Sequence, residues 1–128
     1  MGAIYKLLCP DCLYEKEVSL GQGKSDFRLG NVVMNFSEET QIKIKEVFNE
    51  NSDDACWNFY RGLGYCPSCN AYQEVPMIEI TDAESKIRLM DRCTCNAEYQ
   101  MIEIEDMTKC GCPICKKELI VKREGMWD

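Results

Sequence analysis

Eight of the ten cysteines in this chain fall into four close pairs, Cys9/Cys12, Cys66/Cys69, Cys93/Cys95 and Cys112/Cys115. A turn of two residues brings both sulfurs of a pair to the same side, so each pair is a grip for one ion. Four grips are the arithmetic of two four-thiolate metal sites. Three of the pairs carry proline after the first cysteine (Cys9-Pro10-Asp11-Cys12, Cys66-Pro67-Ser68-Cys69, Cys112-Pro113-Ile114-Cys115), which stiffens the turn; Cys93-Thr94-Cys95 is one residue shorter. A chain of 128 residues could form one ordinary domain, but coordination lets smaller units stand alone, and two metal-stapled units are expected.

Four pairs sort into two sites in three ways. Sequential pairing joins Cys9, Cys12, Cys66 and Cys69, and leaves Cys93, Cys95, Cys112 and Cys115 for the second ion; the preference for local connections favours it. The 16 residues between Cys95 and Cys112 suit two strands and a turn. The rivals join Cys9/Cys12 to Cys93/Cys95, or Cys66/Cys69 to Cys93/Cys95 across 23 residues. The chain holds no histidine, and four thiolates leave no coordination position open, so closed structural sites are expected and metal hydrolysis is not.

The formal charge is −7. Two divalent ions in thiolate cages would take it to about −11. Nucleic-acid affinity comes largely from neutralising phosphates, which this average charge opposes. A local exception is the basic run Lys109, Lys116, Lys117, Lys122 and Arg123, interrupted by Glu118 and Glu124. Its plainer reading is screening of an anionic metal site. No apolar run approaches the roughly 18 residues of a membrane span. Met1-Gly2-Ala3-Ile4-Tyr5-Lys6 lacks the charged flank and apolar stretch of a secretory signal, so a cytoplasmic location is expected, where clustered thiols hold metal.

Each knuckle precedes a stretch with strand character: 14–20, 72–80, 99–104 and 119–122. Cys69-Asn70-Ala71-Tyr72-Gln73, continuing to Met77-Ile78-Glu79-Ile80, echoes Cys95-Asn96-Ala97-Glu98-Tyr99-Gln100-Met101-Ile102-Glu103-Ile104. Both copies place asparagine directly after the second cysteine, where a knuckle needs a positive φ. The 53 residues between Cys12 and Cys66 predict an insertion with structure of its own. Ser37 is expected to cap a helix reaching about Glu50, with Ile44, Val47 and Phe48 on its apolar face. A second short helix, capped by Asp53 or Asp54, would carry Trp57, Phe59 and Tyr60. Residues 81–92 read as a linker that turns into a strand. Cys56 reads as a small buried residue on the second helix, and Cys110 as a spare thiol beside the second site.

The knuckle-and-strand pattern resembles the zinc-ribbon, or rubredoxin-like, superfamily, and the whole chain resembles small microbial proteins with two four-cysteine ribbons. That resemblance implies a small metal-stabilised α+β fold: two antiparallel β zinc ribbons, residues 1–80 and 81–128, with a helical insertion at about 22–62 in the first. It also implies two structural zinc ions, although thiolate cages accept iron as well. The insertion and the short Cys93-Thr94-Cys95 pair depart from the common ribbon.

Function is less legible. The leading expectation is a non-catalytic zinc protein that presents a surface to another protein. The cluster Trp57, Phe59, Tyr60 and Tyr65 could supply that surface, although core is its simpler reading. The alternatives are a nucleic-acid-binding ribbon and a rubredoxin-like iron electron carrier. Gly21-Gln22-Gly23-Lys24-Ser25 ends like a phosphate-binding loop, but Val18 stands where the first glycine should be, so a strand-ending turn is expected.

Overall fold

The computed structural model describes residues 2–50, 56–81 and 85–127. Among these, seven strands form one antiparallel sheet: β1 (Gly2–Leu8), β2 (Glu15–Gly21), β3 (Cys56–Cys66), β4 (Ala71–Thr81), β5 (Lys86–Met90), β6 (Gln100–Ile102) and β7 (Ile120–Trp127). The order is β5-β4-β3-β2-β1-β7, with β6 paired to β3 off this path. Three α-helices among the described residues accompany the sheet, α1 (Leu29–Val33), α2 (Glu38–Glu50) and α3 (Met107–Cys110). The sheet crosses the expected boundary at residue 80: β5, β6 and β7 pair with β4, β3 and β1.

The first and last strands lie side by side. β1 is antiparallel to β7 from Gly2↔Trp127 to Leu8↔Ile120, with a register shift at Ile4/Tyr5. A bulge there twists the outer strand and blunts an edge that would otherwise invite pairing. The Trp127 indole then donates to the Leu20 carbonyl at 3.0 Å, tying the last strand across to β2.

Two apolar clusters hold the layers. Leu7, Val18, Leu63, Tyr72, Met107 and Leu119 pack with the buried sulfurs of Cys9 and Cys112. Val32, Phe36, Ile44, Phe59, Ile78 and Ile80 form the other, where α1 and α2 cover β3 and β4. Along β4, Val75 and Met77 are buried on one face and Ile78 and Ile80 on the other, which marks an inner strand.

The helix begun by Ser37 forms as the sequence predicts. The Ser37 carbonyl accepts from Gln41 N at 2.8 Å, and its hydroxyl lies 3.4 Å from Thr40 N. Asp91, at the end of β5, completes the cap by accepting from Ser37 N at 2.9 Å and Ser37 Oγ at 2.7 Å. Glu38 and Glu39 in the first turn favour the positive end of the helix dipole. Ile44 is buried, with Val47 and Phe48 packed beside it.

The second expected helix is instead a strand. Trp57 and Phe59 lie opposite Ile80 and Ile78, so bulky aromatics two residues apart share one face of a cross-strand ladder. Phe59 meets Phe36 edge to face, with ring centroids 6.0 Å apart and planes at 85°. Phe59 is core, while Trp57, Tyr60 and Tyr65 are half-buried. Cys56 opens this strand and is exposed, contrary to the buried helical position expected. Asp53 and Asp54 lie outside the described residues. Helical structure between Cys12 and Cys66 is found at residues 24–50, where Lys24–Phe27 forms a 3-10 turn just after β2.

β2 and β3 touch through a single register pair, Gly21↔Arg61. Arg61 reinforces that narrow joint: it pairs with buried Asp26 at 2.5 Å and stacks over Phe59 and Trp127, 5.1 and 4.9 Å from the ring centroids.

Phe59→Ala should cost about 3–5 kcal/mol, because it empties the layer between α2 and the sheet. Ile42→Ala, on the exposed side of α2, should stay within about 0.5 kcal/mol. Denaturant unfolding compares them; equal losses would contradict this placement of the core.

Candidate metal centres

The eight paired cysteines meet in two groups, Cys9/Cys12/Cys112/Cys115 and Cys66/Cys69/Cys93/Cys95, with all four sulfurs of each group within 4.8 Å of one another. In the first centre the closest approaches are Cys9–Cys115 at 3.4 Å and Cys12–Cys112 at 3.3 Å. In the second they are Cys66–Cys95 at 3.4 Å and Cys69–Cys93 at 3.7 Å. Thiolates at about 2.3 Å from a tetrahedral ion stand about 3.8 Å apart, close to this spacing. A disulfide would need about 2.05 Å, and all ten cysteines are free of one. The donor set therefore fits a metal ion in each group.

This pairing corrects the sequential one. The outermost pairs share one centre and the two middle pairs share the other, the arrangement that joins Cys66/Cys69 to Cys93/Cys95. The cause is strand pairing rather than chain proximity. Cys9 follows β1, and Cys115 comes shortly before Leu119 and the start of β7, so the Leu8↔Ile120 pairing delivers both knuckles to one end of the sheet. The stretch from Cys95 to Cys112 is not two strands and a turn. It holds β6, a 3-10 turn at Ile104–Asp106 and α3. The repeated Cys-Asn-Ala, at 69–71 and 95–97, is the signal for this grouping in the sequence, because these like knuckles bring their sulfurs into one group.

All four grips share a local geometry. Leu13, Asn70, Asn96 and Lys116, each directly after the second cysteine, have φ of 64, 54, 70 and 67°. The left-handed residue folds the chain back so that Cys9 N donates to Tyr14 O at 2.9 Å, Cys93 N to Ala97 O at 3.0 Å and Cys112 N to Lys117 O at 2.7 Å. The short Cys93-Thr94-Cys95 pair obeys the same rule despite its missing residue. In each pair the first cysteine is buried and the second more open. The second centre is the wetter one, since Cys69 and Cys95 are exposed whereas Cys12 and Cys115 are half-buried.

Knuckle amides point at the sulfurs. Cys69 N lies 3.4 Å from Cys66 Sγ, and Ile114 N lies 3.4 Å from Cys112 Sγ. Burial opposes ionisation of Cys112, but the amides of Cys115 and Ile114 outweigh it and hold this thiol down at about 6. In Cys93 the amide of Cys95 is the main influence, and the thiol again falls to about 6. The partners move the other way. Cys69 is pushed up to about 12 by the hydrogens it shares with Cys95, Cys93 and Cys66. Cys12 gains from the Tyr14 backbone, yet burial and the sulfur of Cys112 raise it to about 12. Without an ion, each centre thus keeps protons on its outer thiols.

Cys110, the expected spare thiol, stands outside both groups and is exposed, its Sγ 3.5 Å from the Asp106 carbonyl. Gly111 separates it from Cys112 with φ of 82°, and a Cβ there would sit 3.1 Å from the Lys116 carbonyl, so this position requires glycine. In the basic run, Lys117 faces Asp11 at 3.7 Å. Among the described residues no helix is long and apolar enough to cross a membrane. No protein-family model matches the chain, and no curated protein or solved structure shows significant similarity to it.

Paired serine substitutions test the grouping. Cys12→Ser with Cys112→Ser should leave one ion per chain, and Cys12→Ser with Cys69→Ser should leave none; sequential pairing demands the reverse, read by elemental analysis after desalting. The pH dependence follows from the raised outer thiols. Cys12 and Cys115 both lie above the ordinary thiol value, so binding at the first centre must expel their protons. Coordination is therefore favoured as pH rises and lost as it falls. Around neutrality ion affinity at this centre should drop on the order of a hundredfold per pH unit, and more steeply below about 6, where Cys112 also takes up a proton, as a competing chelator would measure. A pH-independent affinity would contradict protonated outer thiols.

Proposed function

We propose that the chain is a non-catalytic metal protein in which two closed four-cysteine sites hold structural zinc ions and position a surface for a protein partner. The observation that carries this reading is the closure of each sulfur group: four thiolates fill a tetrahedral ion and leave no position for water or substrate. Placement also supports a structural role. The first centre sits where the first and last strands meet, and its sulfurs belong to the same cluster as Leu7, Val18, Leu63 and Leu119.

The partner surface is suggested by the tips of the first centre. Leu13 is 87% exposed and Ile114 67% exposed, on the two knuckles that share the ion. Leu13 also adopts the left-handed conformation, which costs a branched hydrophobe about 1–2 kcal/mol. Asparagine fills the matching positions of the second centre without that cost. The knuckle imposes this conformation at all four grips, so it is the apolar exposure of Leu13 and Ile114, not backbone strain, that supports a contact surface.

Freshly purified protein should contain two zinc ions per chain and be colourless. Chelation should unfold it, since metal binding and folding are then one equilibrium. Iron with visible thiolate absorption would replace this reading with electron transfer, and structure retained after complete metal removal would overturn it. The contact role is tested separately by pull-down: Leu13→Asn with Ile114→Ser should release a partner that the parent protein retains.

A further inference from the structure

The two centres are bolted together through a single peptide stretch. Asn70, directly after Cys69 of the second centre, donates from Nδ2 to the Pro113 carbonyl at 2.5 Å. Its Oδ1 accepts from the Tyr65 hydroxyl at 2.5 Å. Tyr72, 3% exposed, donates from its own hydroxyl to the Gly111 carbonyl at 2.7 Å. Tyr65 and Tyr72 lie against each other with ring centroids 5.1 Å apart. Gly111 and Pro113 flank Cys112, a ligand of the first centre. Tyr65, Asn70 and Tyr72 flank Cys66 and Cys69, ligands of the second. The carbonyls on both sides of one centre's buried cysteine are therefore held by side chains rooted in the other centre's knuckle.

We propose that the two centres load cooperatively, because a knuckle of the second is hydrogen-bonded onto a knuckle of the first. This rests on the reading of both sulfur groups as ion sites. An empty knuckle must be ordered before it can grip, and fixing its backbone costs conformational entropy. An ion in the second centre fixes residues 66–72, which presents the Asn70 amide and the Tyr72 hydroxyl to the Gly111–Pro113 stretch. The first centre then binds from a backbone already in place. Linkage makes the effect reciprocal, so either ion strengthens the other by the same factor. Couplings of this kind are typically about 5- to 150-fold, which at one equivalent lowers the singly loaded fraction from about half to between about a third and a tenth.

Native mass spectrometry of the reduced, metal-free chain given one equivalent of Zn²⁺ reads the loading states directly. Independent equal sites would leave about half the molecules with one ion. Cooperative loading should give mainly empty and doubly loaded molecules, and a singly loaded fraction of half or more overturns the proposal. Asn70→Gly with Tyr72→Phe removes both cross-links while keeping a residue suited to positive φ at position 70. This variant should still take two ions at excess, with the singly loaded fraction rising to half or above. Asn96→Gly, the matching position in the other knuckle of the second centre, should behave like the parent. A double variant that loads like the parent would refute the route, and the parent distribution decides the matter if that variant does not fold. Failure of the parent to take any ion, even at excess, would instead refute the metal reading itself and this proposal with it.

Discussion

Thiolate sulfurs held a few ångströms apart repel one another, and only a cation at their centre makes such a group stable as an anion. That constraint organises the molecule. Cys9 and Cys12 follow the first strand, Cys112 and Cys115 precede the last, and their meeting requires β1 and β7 to run side by side. The same requirement places Leu7, Val18 and Leu119 around the sulfurs, so one of the two apolar clusters is built on the ligands themselves. The other lies under α1 and α2 and includes no cysteine. A protein of this size thus divides its stabilisation between a conventional helix-on-sheet layer and a sulfur-centred one.

Much of this is readable from residue types alone. The spacing of the cysteines identifies all eight grouped thiols, and asparagine after Cys69 and Cys95 signals the left-handed turns found there. Ser37 with Ile44, Val47 and Phe48 marks α2, because a cap and a helical apolar period are local properties. The strands after three of the knuckles, β2, β4 and β7, are legible in the sequence, whereas the expected strand at 99–104 keeps only β6 (Gln100–Ile102) before a 3-10 turn begins at Ile104.

What escapes the sequence depends on non-local partners. Which pairs share an ion is set by which strands lie side by side, and nothing near Cys9 announces that β7 will flank β1. The strand at Cys56–Cys66 reads as helix because Trp57, Phe59 and Tyr60 suit an apolar face of either kind; the partner Ile78–Ile80 ladder decides between them. Leu13 and Lys116 give no hint of a positive φ, since the knuckle imposes a conformation that neither residue prefers. Asp91 acts as a helix cap from 54 residues beyond Ser37, a contact created only when β5 takes its place at the edge of the sheet.

The central claim is that distant sulfurs close two tetrahedral cages with nothing else in the coordination sphere. X-ray absorption at the zinc edge of protein loaded with Zn²⁺ addresses it most directly. The account predicts four sulfurs at about 2.3 Å around each ion, with no light-atom scatterer. A coordination sphere containing oxygen or nitrogen, or fewer than four sulfurs on average, would contradict it.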